Sequence, residues 1–435
     1  MPKVTSTPKP AQNPVMEINL KRPFKKLPGQ VDFLHEDWRD MEFLLEKIKK
    51  LAASFGFVRV EPPLLESAEV VNAFHKKAGE PLLYKLPNGQ DVSLRTGVLG
   101  GLLRMYIESH TPEKELLSKW YYLSPVVLQH QNPHQLVTGL EYGFEVIGEE
   151  NAIFDAQILA LAWKLYASLG QDRVVLEIGS RGCESCFPEY QQTLSRALAD
   201  AKYSLCKDCA MTLAKNPARV LACEQPECQA IAADVPAFID YLDSACASHL
   251  TSVLEALDEL QVPYVLSQTS TEDEYAKRTF FKFKFNHPQD SFVLSRGSRH
   301  DGLFGKLGMP PRPALGLSGN FEVMLRAWRL AGGQPETVRR ADVAFIPLGD
   351  LGAKKALGLF SYFWDQGVAV VTLCDEHNLK ARLQQAADLK VPIALMVGQK
   401  EALEGTVILR DVKSGMQEVF PSERILSEVK KRLGE

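Results

Sequence analysis

The 435-residue chain has no excess of positive charge: 50 Lys and Arg stand against 54 Asp and Glu, a formal net charge of −4. This excludes a globally basic protein of the kind that coats nucleic acid. It does not exclude a local basic face, because electrostatic attraction depends on how charge is distributed. The chain also lacks an apolar run of the roughly 18 residues that a membrane helix needs. Its N-terminal stretch, MPKVTSTPKPAQNPVMEINLKRPFKK, carries charges and prolines where a secretory signal needs an apolar core. A cytoplasmic location with no membrane contact is expected. There is no internal repeat, and no low-complexity tract beyond that first arm. With 45% hydrophobic and 24% charged residues, the composition excludes a largely disordered chain. The length is enough for two or three domains.

Cysteine is sparse and unevenly placed. Of eight cysteines, six fall between Cys183 and Cys228. Closely spaced pairs in a chain without an export signal suggest metal rather than disulfides. Residues 188–204 read as a helix, about 25 Å long at 1.5 Å per residue, which separates Cys183 and Cys186 from the rest. Cys206 and Cys209 are joined to Cys223 and Cys228 by a turn-rich link and can close on them. The favoured reading is a structural zinc site of Cys206, Cys209, Cys223 and Cys228, closed to water because four thiolates complete the tetrahedron. A site recruiting Cys183 and Cys186, or unmetallated thiols, are the alternatives. Cys246 and Cys374 read as buried hydrophobes. His35, His75 and His300 are assigned no role.

Hydrophobic spacing organises the rest. Trp38, Met41, Leu44, Leu45, Ile48, Leu51, Ala52 and Phe55 recur at three and four, an amphipathic helix stopped at Gly56. Phe57, Val58 and Val60 read as a short strand ending at Pro62-Pro63. Helices are expected at 69–79, 98–109, 153–169, 188–204, 236–260 and 318–331. A hairpin pairs Tyr84–Leu86 with Asp91–Leu94 across Pro87-Asn88-Gly89. Trp120–Leu128 with Gly139–Ile147, Val174–Ile178, and 278–285 with 291–296 read as strands. Ala331–Arg340 reads as a linker. Beyond it the pattern changes to βα units: strands at Val343–Pro347, Val368–Leu373, Pro392–Val397 and Gly405–Leu409, with helices at 352–366 and 377–388. The expected organisation is a flexible arm (1–24), an α+β core (25–330) with an insertion at about 183–262, a linker (331–340) and a small α/β domain (341–435).

Several segments together resemble one family. LSPVVLQHQNPHQLVTGLEYGFEVIGEENAIFDAQILALAWKLYASLG (123–170) is similar to the second signature motif of class II synthetases of the histidine type. LAKNPARVLACEQPECQAI (213–231) resembles the insertion segment of bacterial members. GSRHDGLFGKLGMPPRPALGLSGNFEVML (297–325) resembles the glycine-rich strand and third motif. LRTGVLGGLLRMYIE (94–108) stands where the family carries Leu-Arg-Pro-Glu-Gly-Thr. From about residue 25 to 430 the chain is identified as a member of the histidyl-tRNA synthetase family. The resemblance implies a class II antiparallel-sheet catalytic core with a helical, cysteine-rich insertion, followed by a C-terminal α/β anticodon-binding domain. It also implies a homodimer, and the adenylation of histidine by ATP before transfer to tRNA.

The residues this chemistry needs are mostly missing. Adenylation brings a carboxylate onto the α-phosphorus of ATP, so fixed cations must neutralise the phosphates. At the family's three arginine positions stand Gln129, Thr271 and Val323, with Gln131 at the motif-two glutamate. Loss of three such contacts, at about 1.5–3 kcal/mol each and more for transition-state charge, slows adenylation by about four to eight powers of ten. Arg326 is the only nearby candidate for rescue, and it sits at a different place on its helix. Glu272 and Glu274 would repel a triphosphate, so ATP binding is expected to be weak or absent. The Glu-Gly-Thr segment has become Gly97-Val98-Leu99, and a motif-two glutamine has become Glu141. Glu145 matches the family's pocket glutamate and Tyr275 one of its two tyrosines, with Ala276 replacing the other. Glu141, Glu145 and Tyr275 are thus the substrate-pocket candidates, and no residue is assigned catalysis.

Three functions remain open. The first is a paralogue that has lost histidine activation and binds tRNA, another RNA or a protein partner. The second is a working histidine–tRNA ligase with an atypical site. The third is a regulatory subunit of the ATP phosphoribosyltransferase of histidine biosynthesis, which resembles a synthetase core but usually lacks such a C-terminal domain.

Overall fold

A computed structural model describes residues 25–74, 83–109, 117–129, 136–214, 217–223, 225–267, 276–334, 341–374 and 378–434. It divides into two compact units between Gln334 and Pro335.

The first unit is built on an eight-stranded sheet. In spatial order its strands are Val58–Arg59, Ser118–Gln129, Leu136–Ile147, Ala314–Asn320, Asp290–Arg299, Lys277–His287, Val174–Ser180 and Val265–Leu266. Every internal pairing is antiparallel, and the two edge pairings are parallel. The edge strand expected to run from Phe57 towards Val60 is only two residues long. Pro62 and Pro63 follow it, and neither can donate to a ladder.

One face of the sheet carries helix Ala152–Tyr166, of which eleven residues are buried. Its sequence is predominantly apolar because neighbours cover most of its circumference. Helix His35–Ser54 packs against it and buries Met41, Leu44, Ile48 and Ala52, spaced at three and four as expected. Helix Ser244–Glu259 packs on it as well. A smaller three-stranded sheet orders Leu65–Ser67, Asp91–Leu94 and Leu83–Lys85, the last two being the expected hairpin.

Several helix boundaries differ from the sequence expectation, two of them because a side chain caps the helix. The 318–331 helix begins only at Phe321, because the strand runs on to Asn320, whose side chain accepts the Val323 N–H at 2.9 Å. The 236–260 helix begins at Ser244, after a 3-10 turn over Phe238–Tyr241 and an Asp243 cap. The 188–204 helix runs from Phe187 to Ala199 and gives way to a 3-10 turn at Lys202–Ser204. Of the expected 69–79 helix, Ala68–Phe74 is described; the remainder lies outside the described residues, as do the 1–24 arm and linker residues 335–340. Among the described residues no helix is long and apolar enough to cross a membrane.

The second unit is a five-stranded sheet ordered Val370–Thr372, Val343–Pro347, Ile393–Val397, Thr406–Asp411 and Gln417–Pro421. The first three strands are parallel and the last two antiparallel. The central strands Val343–Pro347 and Ile393–Val397 are buried at every residue, as parallel strands covered on both faces must be. Separate apolar clusters fill the two faces. Strand Gln417–Pro421 and helices Gln399–Glu404 and Ile425–Leu433 complete the unit beyond the sequence expectation. Cys374, expected to be buried, is exposed.

Candidate functional site

The candidate pocket rests on strands Leu136–Ile147 and Ala314–Asn320. Side chains alternate along a strand, so Glu141, Gly143 and Glu145 share one face while Tyr142, Phe144 and Val146 share the other. Tyr142, Phe144 and Val146 are core residues. Glu145 lies opposite Gly316 in the register. A Cβ on Gly316 would stand 2.0 Å from Glu145 Oε2, so only glycine lets this carboxylate lie across the sheet.

Glu145 is already engaged. His300 Nε2 lies 2.6 Å from Glu145 Oε1, with both residues buried. The other ring nitrogen, Nδ1, is 3.0 Å from the Ser298 carbonyl. A carbonyl only accepts, so Nδ1 carries a proton, and a carboxylate on the far side favours a second proton on Nε2. Burial by itself would lower the His300 pKa. The charge of Glu145 and its hydrogen bond outweigh that and raise it, which favours the imidazolium. His300, given no role from sequence, is the satisfied partner of a residue expected in the substrate pocket. The signal that could have found it is its place in the glycine-rich segment, at the end of a strand separated from that of Glu145 by strand Ala314–Asn320.

Glu141 accepts from Tyr122 OH at 2.9 Å and from the Val98 N–H at 3.3 Å. Burial pushes its carboxyl above the usual range despite both donors. A Cβ on Gly97 would lie 3.8 Å from Glu141 Oε2. The carboxylate expected at position 97 is therefore absent there, and a carboxylate reaches the same place from position 141. Val98 is fully buried with Leu102, Tyr122 and Val126, which fixes the loop that carries Gly97.

Among the described residues of this unit, the two buried arginines are both committed to the scaffold. Arg95 donates to the carbonyls of Pro62, Pro63 and Pro125 and to Glu61, and Ser124 also donates to Glu61. Arg299 makes a fully buried ion pair with Asp155 at 2.6 Å and donates to the Glu149 and Asn151 carbonyls. Val323, expected at the third arginine position, lies in the first turn of helix Phe321–Leu330. Arg326, one turn on, is ion-paired with Asp290 and lies 5.1 Å over the Phe292 ring. Gln129 ends strand Ser118–Gln129. The Gln129 side chain, and all of Gln131, Thr271, Glu272, Glu274 and Tyr275, lie outside the described residues. A surface cleft of about 450 Å³ lies against Phe33, Asp37, Leu325, Arg326 and Arg329, and neither Glu141 nor Glu145 lines it.

The insertion has its own core, centred on thiols and on Tyr190, Leu194, Leu198 and Phe238. Cys206, Cys209, Cys223 and Cys228 each place a sulfur within 4.8 Å of all the others. The Cys206 and Cys223 sulfurs are 3.9 Å apart, and the Cys206 N–H points at Cys228 Sγ at 3.3 Å. Four thiolates at about 2.3 Å from one tetrahedral zinc stand roughly 3.8 Å from one another. The donor set therefore fits structural zinc, with no position left for water. Burial raises the Cys209 and Cys228 thiols, while the Cys209 N–H lowers Cys206.

The antiparallel core sheet, its flanking helices and the separate α/β unit are the architecture of a class II aminoacyl-tRNA synthetase with an anticodon-binding domain. A family model described as histidyl-tRNA synthetase matches residues 29–324, and one described as anticodon binding domain matches residues 342–432. The chain belongs to the histidyl-tRNA synthetase family. It is 29% identical over 420 residues to a histidine–tRNA ligase of Desulfitobacterium hafniense, covering 94% of this chain and 96% of that protein. The apo histidyl-tRNA synthetase of S. aureus superposes with a TM-score of 0.77 at 22% identity, over 94% of this chain and all of that one. A Bacillus halodurans protein described as an ATP phosphoribosyltransferase regulatory subunit/histidyl-tRNA synthetase superposes at 0.61 with 16% identity, over 89% and 100%. These two likenesses speak to the fold alone.

Proposed function

We propose that this chain is a family member that has lost the activation of histidine and acts as an RNA- or protein-binding, regulatory paralogue. The pairing of Glu145 with His300 carries the reading. In this reading Glu141, Glu145 and Tyr275 belong to the ancestral substrate pocket. A substrate imidazole seeking Glu145 must displace an internal imidazolium from a buried ion pair. Breaking such a pair costs about 3–5 kcal/mol, since it leaves a charge buried and alone. Gln129, Thr271 and Val323 at the arginine positions support the same conclusion for ATP, and Arg326 is held elsewhere by Asp290. The decisive measurement is ATP–pyrophosphate exchange with histidine. Background exchange is expected, together with weak or absent ATP binding in a calorimeter. Exchange at an ordinary enzymatic pace overturns the reading and leaves a ligase with an atypical site.

The match of residues 342–432 to an anticodon-binding domain supports tRNA or another RNA as the partner. Crosslinking of residues 335–435, a compact unit with its own cores, is expected to exceed that of a control protein. The same domain argues against the regulatory-subunit reading, and capture of a phosphoribosyltransferase catalytic subunit would reverse that judgement. A homodimer is expected from the family and is checked by light scattering, with a mass near twice 48.5 kDa. Cys206, Cys209, Cys223 and Cys228 are the proposed ligands of a structural zinc.

One observation favours retained binding of a small molecule. Glu141 brings a carboxylate to the place vacated at Gly97, so an ammonium-bearing ligand, histidine included, keeps one anionic contact. Calorimetric titration with histidine alone tests this separately from the exchange assay.

A further inference from the structure

Four donors that the Cys206 cluster leaves out come together at the other end of the insertion. Cys183 and Cys186 follow strand Val174–Ser180, with their sulfurs 3.7 Å apart. Asp243, the N-cap of helix Ser244–Glu259, meets them from far along the chain. Its Oδ1 accepts the Cys246 N–H at 2.8 Å, and its Oδ2 lies 3.0 Å from Cys183 Sγ. The Asp243 N–H points at Cys186 Sγ at 3.2 Å. One donor atom from each of Cys183, Cys186, Asp243 and Cys246 lies within 4.8 Å of all the rest.

We propose that Cys183, Cys186, Asp243 and Cys246 form a second zinc(II) site, made of three thiolates and one carboxylate and separate from the Cys206 site.

The dimensions suit that ion. Thiolates at about 2.3 Å and a carboxylate oxygen at about 2.0–2.2 Å from tetrahedral zinc leave sulfurs roughly 3.8 Å apart. The backbone is shaped for the cluster as well. Gly182 has φ +60°, and a Cβ there would stand 2.7 Å from Cys186 Cβ and 2.9 Å from its sulfur. Asp243 divides its work, one oxygen capping the helix and the other facing the thiols. Three thiolates and a carboxylate around Zn²⁺ leave a net charge of −2. The positive N-terminal end of a 16-residue helix and two backbone N–H groups stand ready to stabilise it. Cys186 and Cys246 are buried, and four protein donors leave no open position, so the role is structural. The site ties the start of the insertion to the helix that leads out of it, while the Cys206 site closes the middle. A small module with seven cysteines in and around its core gains most from such staples.

The test uses the full-length chain, produced with zinc and purified under reductant. Metal content is expected to be two equivalents in the wild type and one in Cys206→Ser/Cys223→Ser. It is also expected to be one in Cys183→Ser/Cys246→Ser, so the two sites stand or fall separately. Asp243→Asn keeps a capping oxygen but loses the anionic donor, and should release one equivalent to a chelator at least about tenfold faster, a loss of roughly 1.4 kcal/mol. With cobalt(II), the thiolate charge-transfer band should fall by about three-sevenths when the three-thiolate site is removed, because each thiolate contributes to it. If Cys183→Ser/Cys246→Ser does not fold, alkylation of the wild type decides. Cys183, Cys186 and Cys246 must be protected until a chelator is added. Alkylation indifferent to chelator, a Cys183–Cys186 disulfide under reductant, or unchanged metal content in the folded variant overturns the proposal.

Discussion

His300 and Glu145 are worth more to this protein as a pair than as two residues. The His300 pKa is raised in the folded state, so the sign of its pH dependence is determined. Its contribution to stability is complete below the unfolded value of 6.5 and is lost as pH rises through the higher folded value. Urea melts of the wild type and His300→Asn, from pH 6 upward, should differ most at the acidic end and converge in alkali. A constant gap would mean that the charge is irrelevant. Gly97 and Glu141 make a second residue-scale case. Gly97→Glu sets a second carboxylate beside that of Glu141 and should destabilise. Adding Glu141→Gln should recover about 1 kcal/mol or more, read as the coupling in a double-mutant cycle. Arg299→Met leaves Asp155 without its fully buried partner and should cost about 3–5 kcal/mol in the same melts.

At the scale of elements, the caps decide what spacing alone cannot. The apolar period around 318–331 reads equally well through Ser318 and Gly319. The sheet claims those residues because they pair with Gly143 and Tyr142. Asn320 then opens the helix by accepting the Val323 N–H. Asn320→Ala should lower stability by about 1 kcal/mol, seen as an earlier thermal transition without loss of the strand pairing. Helix His35–Ser54 was legible because four buried residues repeat on one face. Helix Gln399–Glu404 was not, since six residues with none buried carry no period.

For the whole molecule, the proposed reading is an intact scaffold around an altered pocket. Gly316 and Gly319 let Glu145 and Tyr142 lie on the sheet. Arg95 ties down Pro62, Pro63 and Pro125. Returning arginine at Gln129, Thr271 and Val323 together should therefore leave the fold intact. Pyrophosphate exchange should remain at background, because Glu145 still faces His300. Exchange restored by those three changes alone would show that phosphate charge was the sole defect.

The sequence alone determined the family and the order of the longer elements, and it favoured the four thiols Cys206, Cys209, Cys223 and Cys228 as one group. Short loops bring neighbouring segments together, and hydrophobic period marks which face is buried. Only the tertiary structure decided the partner of Glu145, the carboxylate that Glu141 brings beside Gly97, and the meeting of Cys183 and Cys186 with Asp243 and Cys246. Those contacts join residues far apart in the chain, through sheet register and helix caps. Nothing local in an amino-acid string encodes which distant side chain will neutralise a buried charge.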